Sequence, residues 1–133
     1  MNRIRTKHYA VGVDYGTNSV RAVVVDISNG KEAGAHIYNY PSGKAGILLD
    51  RKDINLARQN PEDYIKGFIV SVKAAVNQAK NIHGFHPENV IGIGIDTTGS
   101  TPLPVDRHGV PLAMTSKFKN DLAAYAWLWK DHT

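Results

Sequence analysis

The sequence predicts an α/β fold on a mixed sheet: an antiparallel three-strand meander, a crossover helix, and a strand returning parallel to the first. Three observations carry that expectation. Three segments with strand-like composition lie within the first 40 residues, separated by short turn-forming clusters. A segment with helical periodicity and a clear start signal follows residue 60. A continuous apolar run over 90–95 completes the pattern. Because a helix separates it from the meander, the simplest connection is a right-handed crossover to a parallel strand.

Residues 9–13 (Tyr9-Ala10-Val11-Gly12-Val13) form the first apolar run, ending at Asp14, and residues 19–27 are rich in β-branched side chains. Between them, Asp14-Tyr15-Gly16-Thr17-Asn18 is a cluster of turn formers suited to a hairpin. Asp26-Ile27-Ser28-Asn29-Gly30 supplies a second turn, and residues 32–40 read as the third strand. Residues 41–60 form a long irregular connection with Gly43, Gly46 and several charges, of a length that is usually functional or mobile.

The helix begins with Asn60 as N-cap and Pro61 at the first helical position, and Glu62 and Asp63 place negative charge in its first turn. Ile65, Phe68, Ile69, Val72, Val76 and Ala79 fall at three- and four-residue spacings and predict one buried stripe. Gly67 costs about 1 kcal/mol relative to Ala in a helix, so close packing against a neighbour is expected there. Lys80 and His83 precede Gly84, a stop signal. The run at 90–95 has the pattern of a strand covered on both faces. Beyond it, the sequence predicts a strand over 103–105, a turn at Arg107-His108-Gly109, a returning strand over 110–114 and a short final helix over 122–129. The sequence closes on Lys130-Asp131-His132-Thr133 without a capping signal, as a cut through a larger protein would.

With 133 residues, the chain is one domain or part of one, and 42% hydrophobic with 21% charged residues is ordinary for a packed core. The absence of cysteine excludes disulfide scaffolds, thiolate metal sites and a cysteine nucleophile. Apolar runs are far too short for a membrane helix, and the N-terminus lacks an apolar signal core, so a soluble, cytoplasmic protein is expected. A formal net charge of +4 is scattered apart from Arg3, Arg5 and Lys7, which argues against a nucleic-acid partner. Six histidines show no liganding pattern beyond the His83/His86 spacing, and Ser100 lacks a nucleophile-elbow motif.

Two segments carry chemistry. A turn between strands exposes backbone N–H groups at its apex, and Gly16 lets an anion approach without a side chain in the way. Thr17, Asn18 and Ser19 add short donors, Asp14 at the strand end can hold Mg²⁺ against phosphate oxygens, and Arg21 offers positive charge. An ordinary polar hairpin is the competing reading. The second segment, Asp96-Thr97-Thr98-Gly99-Ser100-Thr101, follows the parallel strand, where ligands gather in mixed α/β sheets. If the two strands are neighbours, Asp14 and Asp96 lie side by side and can share a metal, or one can act as a base. A solvated turn capped by Asp96 is the plain alternative. Trp127 and Trp129 suit either core packing or the lining of a sugar pocket.

Taken together, three stretches resemble the amino-terminal part of the FGGY family of carbohydrate kinases, with a ribulokinase-like character. They are Val11-Gly12-Val13-Asp14-Tyr15-Gly16-Thr17-Asn18-Ser19-Val20-Arg21, Gly92-Ile93-Gly94-Ile95-Asp96-Thr97-Thr98-Gly99-Ser100-Thr101-Pro102, and Leu128-Trp129-Lys130-Asp131-His132-Thr133. The resemblance implies the ribonuclease-H-like, actin-like ATPase fold, with residues 1–133 as an incomplete N-terminal part of the first kinase domain. It implies ATP and Mg²⁺ as cofactors and phosphoryl transfer to the 5-hydroxyl of L-ribulose. Asp14 would serve the metal, and Gly16, Thr17, Asn18, Ser19 and Arg21 the ATP phosphates. Asp96, Thr98, Gly99, Ser100, Thr101, Trp129, Lys130, Asp131 and His132 would border the sugar.

The resemblance places the catalytic base, the second phosphate motif and the adenosine pocket beyond residue 133, so the isolated chain is expected to be inactive. Its partners would be ATP, a small sugar and the remaining C-terminal part of the kinase, with self-association left open. Two rivals stay in view. A ribonuclease-H-like metal nuclease also needs carboxylates where Asp14 and Asp96 fall, but it wants further acidic ligands. A non-catalytic truncated protein would merely fold and associate.

Overall fold

A computed structural model describes residues 7–133. The element order is β1 (Tyr9–Tyr15), β2 (Ser19–Asp26), β3 (Glu32–Asn39), β4 (Leu48–Leu49), β5 (Ala57–Gln59), α1 (Pro61–Ala79), β6 (Val90–Thr97) and β7 (Ala126–Trp127), with 3₁₀ turns at Pro87–Asn89, Leu112–Met114 and Leu122–Ala124. The main sheet has the order β3-β2-β1-β6. The first three strands pair antiparallel, and β6 pairs parallel to β1. A meander, a crossover helix and a parallel return constitute the ribonuclease-H-like, actin-like ATPase arrangement that the sequence predicts.

Alternation along the strands sorts side chains onto two faces. Tyr9, Val11 and Val13 of β1, with Val20, Ala22 and Val24 of β2, point toward α1 and form the core with Tyr40, Ala75, Ala79 and Phe85. The helix starts as its sequence dictates: Asn60 accepts a hydrogen bond from the Glu62 N–H, and Pro61 follows it. Its buried face keeps only part of the predicted stripe: Ala79 is in the core and Phe68, Val72 and Val76 pack against it, but smaller residues make the closest approach. Gly67, Ser71, Ala75 and Ala79, spaced by four, are the residues pressed on the sheet, while Ile65 and Ile69 stay 47% and 45% exposed. The reason is proximity. A Cβ on Gly67 would run into Val20 and lie 3.1 Å from the Tyr38 ring, and one on Gly34 would run into the backbone of Ala75. Only small residues let helix and sheet approach so closely, and Phe68, Val72 and Val76 pack along the flanks.

Strand β6 also differs from expectation. It runs parallel, but it is the outer strand of the sheet and is not covered: Ile93 and Ile95 remain 53% and 59% exposed. The single long helix packs chiefly on β2 and β3, which leaves the β6 side of the same face open.

The C-terminal third departs most. The strands predicted over 103–105 and 110–114 reduce to one antiparallel bridge, Val105 to Pro111, around a turn at Gly109. In place of a final helix over 122–129 there is one 3₁₀ turn, and then β7, which pairs with β5 in a small sheet of order β4-β5-β7. Asp121 caps that turn through the Ala123 N–H, after which pairing with Arg58 and Gln59 offers the backbone a ladder that the isolated helix pattern lacked. Strands β4 and β5 likewise organise the connection that reads as irregular in the sequence, around a second small core of Ile47, Ala57 and Leu128. Among the described residues no helix is long and apolar enough to cross a membrane.

Candidate functional site

Sheet register brings three charged residues into one row. Asp14 of β1 lies opposite Arg21 on the antiparallel side and opposite Asp96 on the parallel side. Arg21 Nη2 and Asp14 Oδ2 form an ion pair at 2.9 Å, with both side chains about half exposed. All three project from the face that α1 does not cover, where Gly12, Gly94 and Ala35 keep the floor low. They open onto a cavity of about 650 Å³ that Ile37 also lines. The two carboxylates therefore end side by side, as the sequence predicts for adjacent strands.

The β1–β2 connection is short and held from several sides. The Gly16 N–H donates to the Ser19 carbonyl at 2.9 Å, and a Cβ on Gly16 would come within 3.1 Å of Arg21 Nη2, so a side chain there would press on the guanidinium. Asn18 Nδ2 donates to the Ala45 carbonyl at 2.6 Å, and the Asn18 carbonyl accepts from the Tyr40 N–H at 2.9 Å. The Thr17 carbonyl accepts from Gln59 Nε2 at 2.7 Å, and its hydroxyl accepts from Trp129 Nε1 at 3.2 Å. Among the described residues, the N–H groups of Thr17 and Asn18 have no hydrogen-bond partner. Two adjacent free backbone donors in a turn whose Gly16 lies against the Arg21 guanidinium are chemically suited to an anion.

The second segment joins this turn directly. The Thr98 N–H donates to the Tyr15 carbonyl at 3.0 Å, tying the end of β6 to the end of β1. Ser100, a non-glycine residue, has φ +55°, a left-handed conformation held in an exposed loop. Thr98 and Thr101 face Tyr15, Tyr40 and Tyr64 across a smaller cavity of about 280 Å³. Burial pushes the phenol pKa values of Tyr40 and Tyr64 well above the usual range, so both are neutral donors near neutral pH. Asp96 accepts a hydrogen bond from the Thr97 N–H at 2.9 Å.

The C-terminal segment divides. Trp129 reaches the turn through Thr17, and Lys130 and His132 are exposed. Asp131 points elsewhere: its side chain is 3% exposed, forms an ion pair with Arg58, and accepts from the Ala57 N–H at 2.7 Å. The Arg58 guanidinium stacks 3.8 Å above the Trp127 ring. The structure thus brings Asp14, Gly16, Thr17, Asn18, Ser19, Arg21, Asp96 and Thr98 together, with Trp129 at their edge, and commits the Asp131 carboxylate to a structural pair. Sequence reasoning missed Gln59 and Tyr64, which back the turn. Gln59 directly precedes the helix cap, and nothing in the type of residue distinguishes it from a solvated loop glutamine.

The residues fit a nucleotide phosphate tail and a divalent cation. No group of three or more His, Asp or Glu that could hold a metal occurs among the described residues. A magnesium ion that takes one or two protein carboxylates and completes its shell with phosphate oxygens and water needs no more than Asp14 and Asp96 can offer.

Comparison with known proteins supplies the family. A model of the N-terminal domain of the FGGY family of carbohydrate kinases matches residues 9–128. The chain is 40% identical over 131 residues to a ribulokinase of Halalkalibacterium halodurans, covering 96% of this chain and 23% of that protein. It is also 40% identical over 130 residues to a ribulokinase of Geobacillus thermodenitrificans, covering 95% of this chain and 22% of that protein. Among solved structures, the gluconate kinase of Lactobacillus acidophilus superposes with a TM-score of 0.62 at 18% identity, over 94% of this chain and 20% of that one, a likeness of fold. The chain spans less than a quarter of the length of the curated relatives it matches.

Proposed function

Since the chain belongs to the FGGY family of carbohydrate kinases, we propose that it is the N-terminal part of the first domain of an ATP-dependent sugar kinase acting on L-ribulose. The observation that carries this reading is the row Arg21–Asp14–Asp96 beside a turn with two free backbone donors. Ribulose rather than another pentulose or polyol rests on the likeness to ribulokinases.

Phosphoryl transfer asks the protein for position and charge more than for covalent chemistry. When bound, MgATP supplies the transferable phosphoryl group and a cation that offsets its charge. The Thr17 and Asn18 N–H groups and the Ser19 hydroxyl would hold phosphate oxygens, and Gly16 keeps their approach clear. Asp14 would serve the cation, and Arg21, already oriented by Asp14, would offer its remaining N–H groups to the same phosphates. Asp96, the segment 98–101, Trp129, Lys130 and His132 would border the sugar. Asp131 would support that border through Arg58 rather than by touching the sugar. The catalytic base would come from the remainder of the kinase, so residues 1–133 alone would not turn over.

Two measurements test this. In ¹⁵N-labelled protein, MgATP is expected to shift the amide signals of Thr17 and Asn18, with the shift lost in Asp14→Ala. Unmoved signals at millimolar MgATP would remove the basis of the reading. A coupled ADP-release assay with L-ribulose is expected to show no turnover by this chain. Turnover abolished by Asp14→Ala would place the base within these residues.

A further inference from the structure

Gln59 sits at the end of β5, immediately before the helix cap, and is 1% exposed. Both ends of its amide are used: Nε2 donates to the Thr17 carbonyl at 2.7 Å, and Oε1 accepts from the Tyr64 hydroxyl at 2.7 Å. A buried amide so placed has one orientation, because flipping it would set its carbonyl against the Thr17 carbonyl. Tyr64 is itself fixed edge-on between the rings of Tyr15 and Tyr40, at centroid distances of 6.1 and 5.6 Å. The chain of contacts therefore runs from the body of the domain, through Tyr64 and Gln59, to one peptide unit at the apex of the turn.

That peptide unit is the one whose other half is the Asn18 N–H. In a planar trans peptide the C=O and N–H point in opposite directions. Fixing the Thr17 carbonyl toward buried Gln59 turns the Asn18 N–H away from the protein body, on a residue that is exposed and whose N–H has no partner among the described residues. We infer that Gln59 is a positioning residue that sets the Asn18 amide as an anion donor. The inference rests on the proposed phosphate role of the turn. Gln59 touches no phosphate; it removes an alternative orientation of the peptide, so that the donor is in place before the anion arrives.

The test uses the 133-residue chain with inorganic tripolyphosphate and Mg²⁺ as the probe, following the Thr17 and Asn18 amides and the Trp129 indole by NMR. Gln59→Met keeps the volume and removes both hydrogen bonds. Tyr64→Phe keeps the fold and frees the Oε1 end alone. The expected result is a free-state displacement of the Asn18 amide signal in both variants. Probe affinity should fall by about threefold to tenfold in Gln59→Met, the worth of one oriented hydrogen bond, and by less in Tyr64→Phe. Measured well below each variant's unfolding midpoint, a merely structural Gln59 would lower that midpoint and leave the affinity unchanged, which overturns the inference. If Gln59→Met fails to fold, Tyr64→Phe decides: an Asn18 signal and affinity identical to the parent also overturn it. Failure of the parent chain to bind the probe at all would instead remove the phosphate reading of the turn.

Discussion

The Trp129 indole N–H donates to the Thr17 hydroxyl across 112 positions of sequence. This bond fastens the C-terminal segment to the apex of the first turn, so the two stretches proposed to border the sugar and to hold phosphate meet at one side chain. Thr17→Val keeps the shape and removes the acceptor. Because the bond is exposed, the stability loss should be about 0.5 kcal/mol, the low end for a hydrogen bond. Exchange of the Trp129 indole proton should accelerate in the variant; an unchanged rate would show that the bond does not hold the segment.

The ion pair of Arg58 and Asp131, with each side chain 3% exposed, makes a stronger claim. Burial pulls the Arg58 pKa below its usual range, and the charge of Asp53 partly opposes this. Asp131→Asn leaves a cation stacked on Trp127 without its counter-charge and should cost about 3–5 kcal/mol in urea denaturation. Replacing both partners, Arg58→Met with Asp131→Leu, should recover part of that loss, because the buried Ala57 N–H is then left without its acceptor. A single variant as stable as the parent would return Asp131 to the group of residues free for a ligand.

Two glycines test how tightly α1 sits on the sheet. Gly67→Ala gains about 1 kcal/mol of helix propensity but drives a methyl into Val20, an overpacking cost of about 1–3 kcal/mol, so a net loss of stability is expected. Gly34→Ala should lose more, because its methyl meets the backbone of Ala75 and Ala79, which cannot rotate away. Equal stabilities for Gly67→Ala and the parent, by chemical denaturation, would mean that the helix can lift without loss.

Acid should act through Asp26. The Ser28 hydroxyl and N–H donate to its carboxylate at 2.6 and 2.9 Å, and these bonds, foremost the hydroxyl, hold its pKa below the ordinary value of 3.8. The unfolded chain then binds the proton first as pH falls. The stabilisation is complete above the unfolded pKa and is lost as pH drops through the folded one. Asp26→Asn should flatten the dependence of stability on pH below about 4. A slope equal to the parent's would assign acid sensitivity to other carboxylates.

Local chemistry explains what could be read from the sequence. Asn60, Pro61 and the first-turn acids announce the helix, and alternation with short turns announces the meander, because these signals act within a few residues. The pairing of Asp14 with Asp96 is legible only on the condition that β6 lies beside β1, which the helical crossover makes the simplest arrangement and the register then fulfils. The burial of Gly67, Ser71 and Ala75 instead of Ile65 and Ile69 does not follow from periodicity, because the distance between helix and sheet selects size rather than hydrophobicity. Strand β7 was hidden for a similar reason: Ala126 and Trp127 pair with β5 only because the chain between them is folded. Gln59 and Tyr64 are invisible in the sequence because their roles depend on a turn more than 40 positions away.

The lock between Ala57, Arg58 and Asp131 closes over 74 positions. During synthesis, the meander and α1 can condense on contacts already emerged, whereas the guanidinium on β5 stays hydrated until Asp131 has been added. The apex of the β1–β2 turn therefore forms on a finished platform, and its bond to the Trp129 indole is made last.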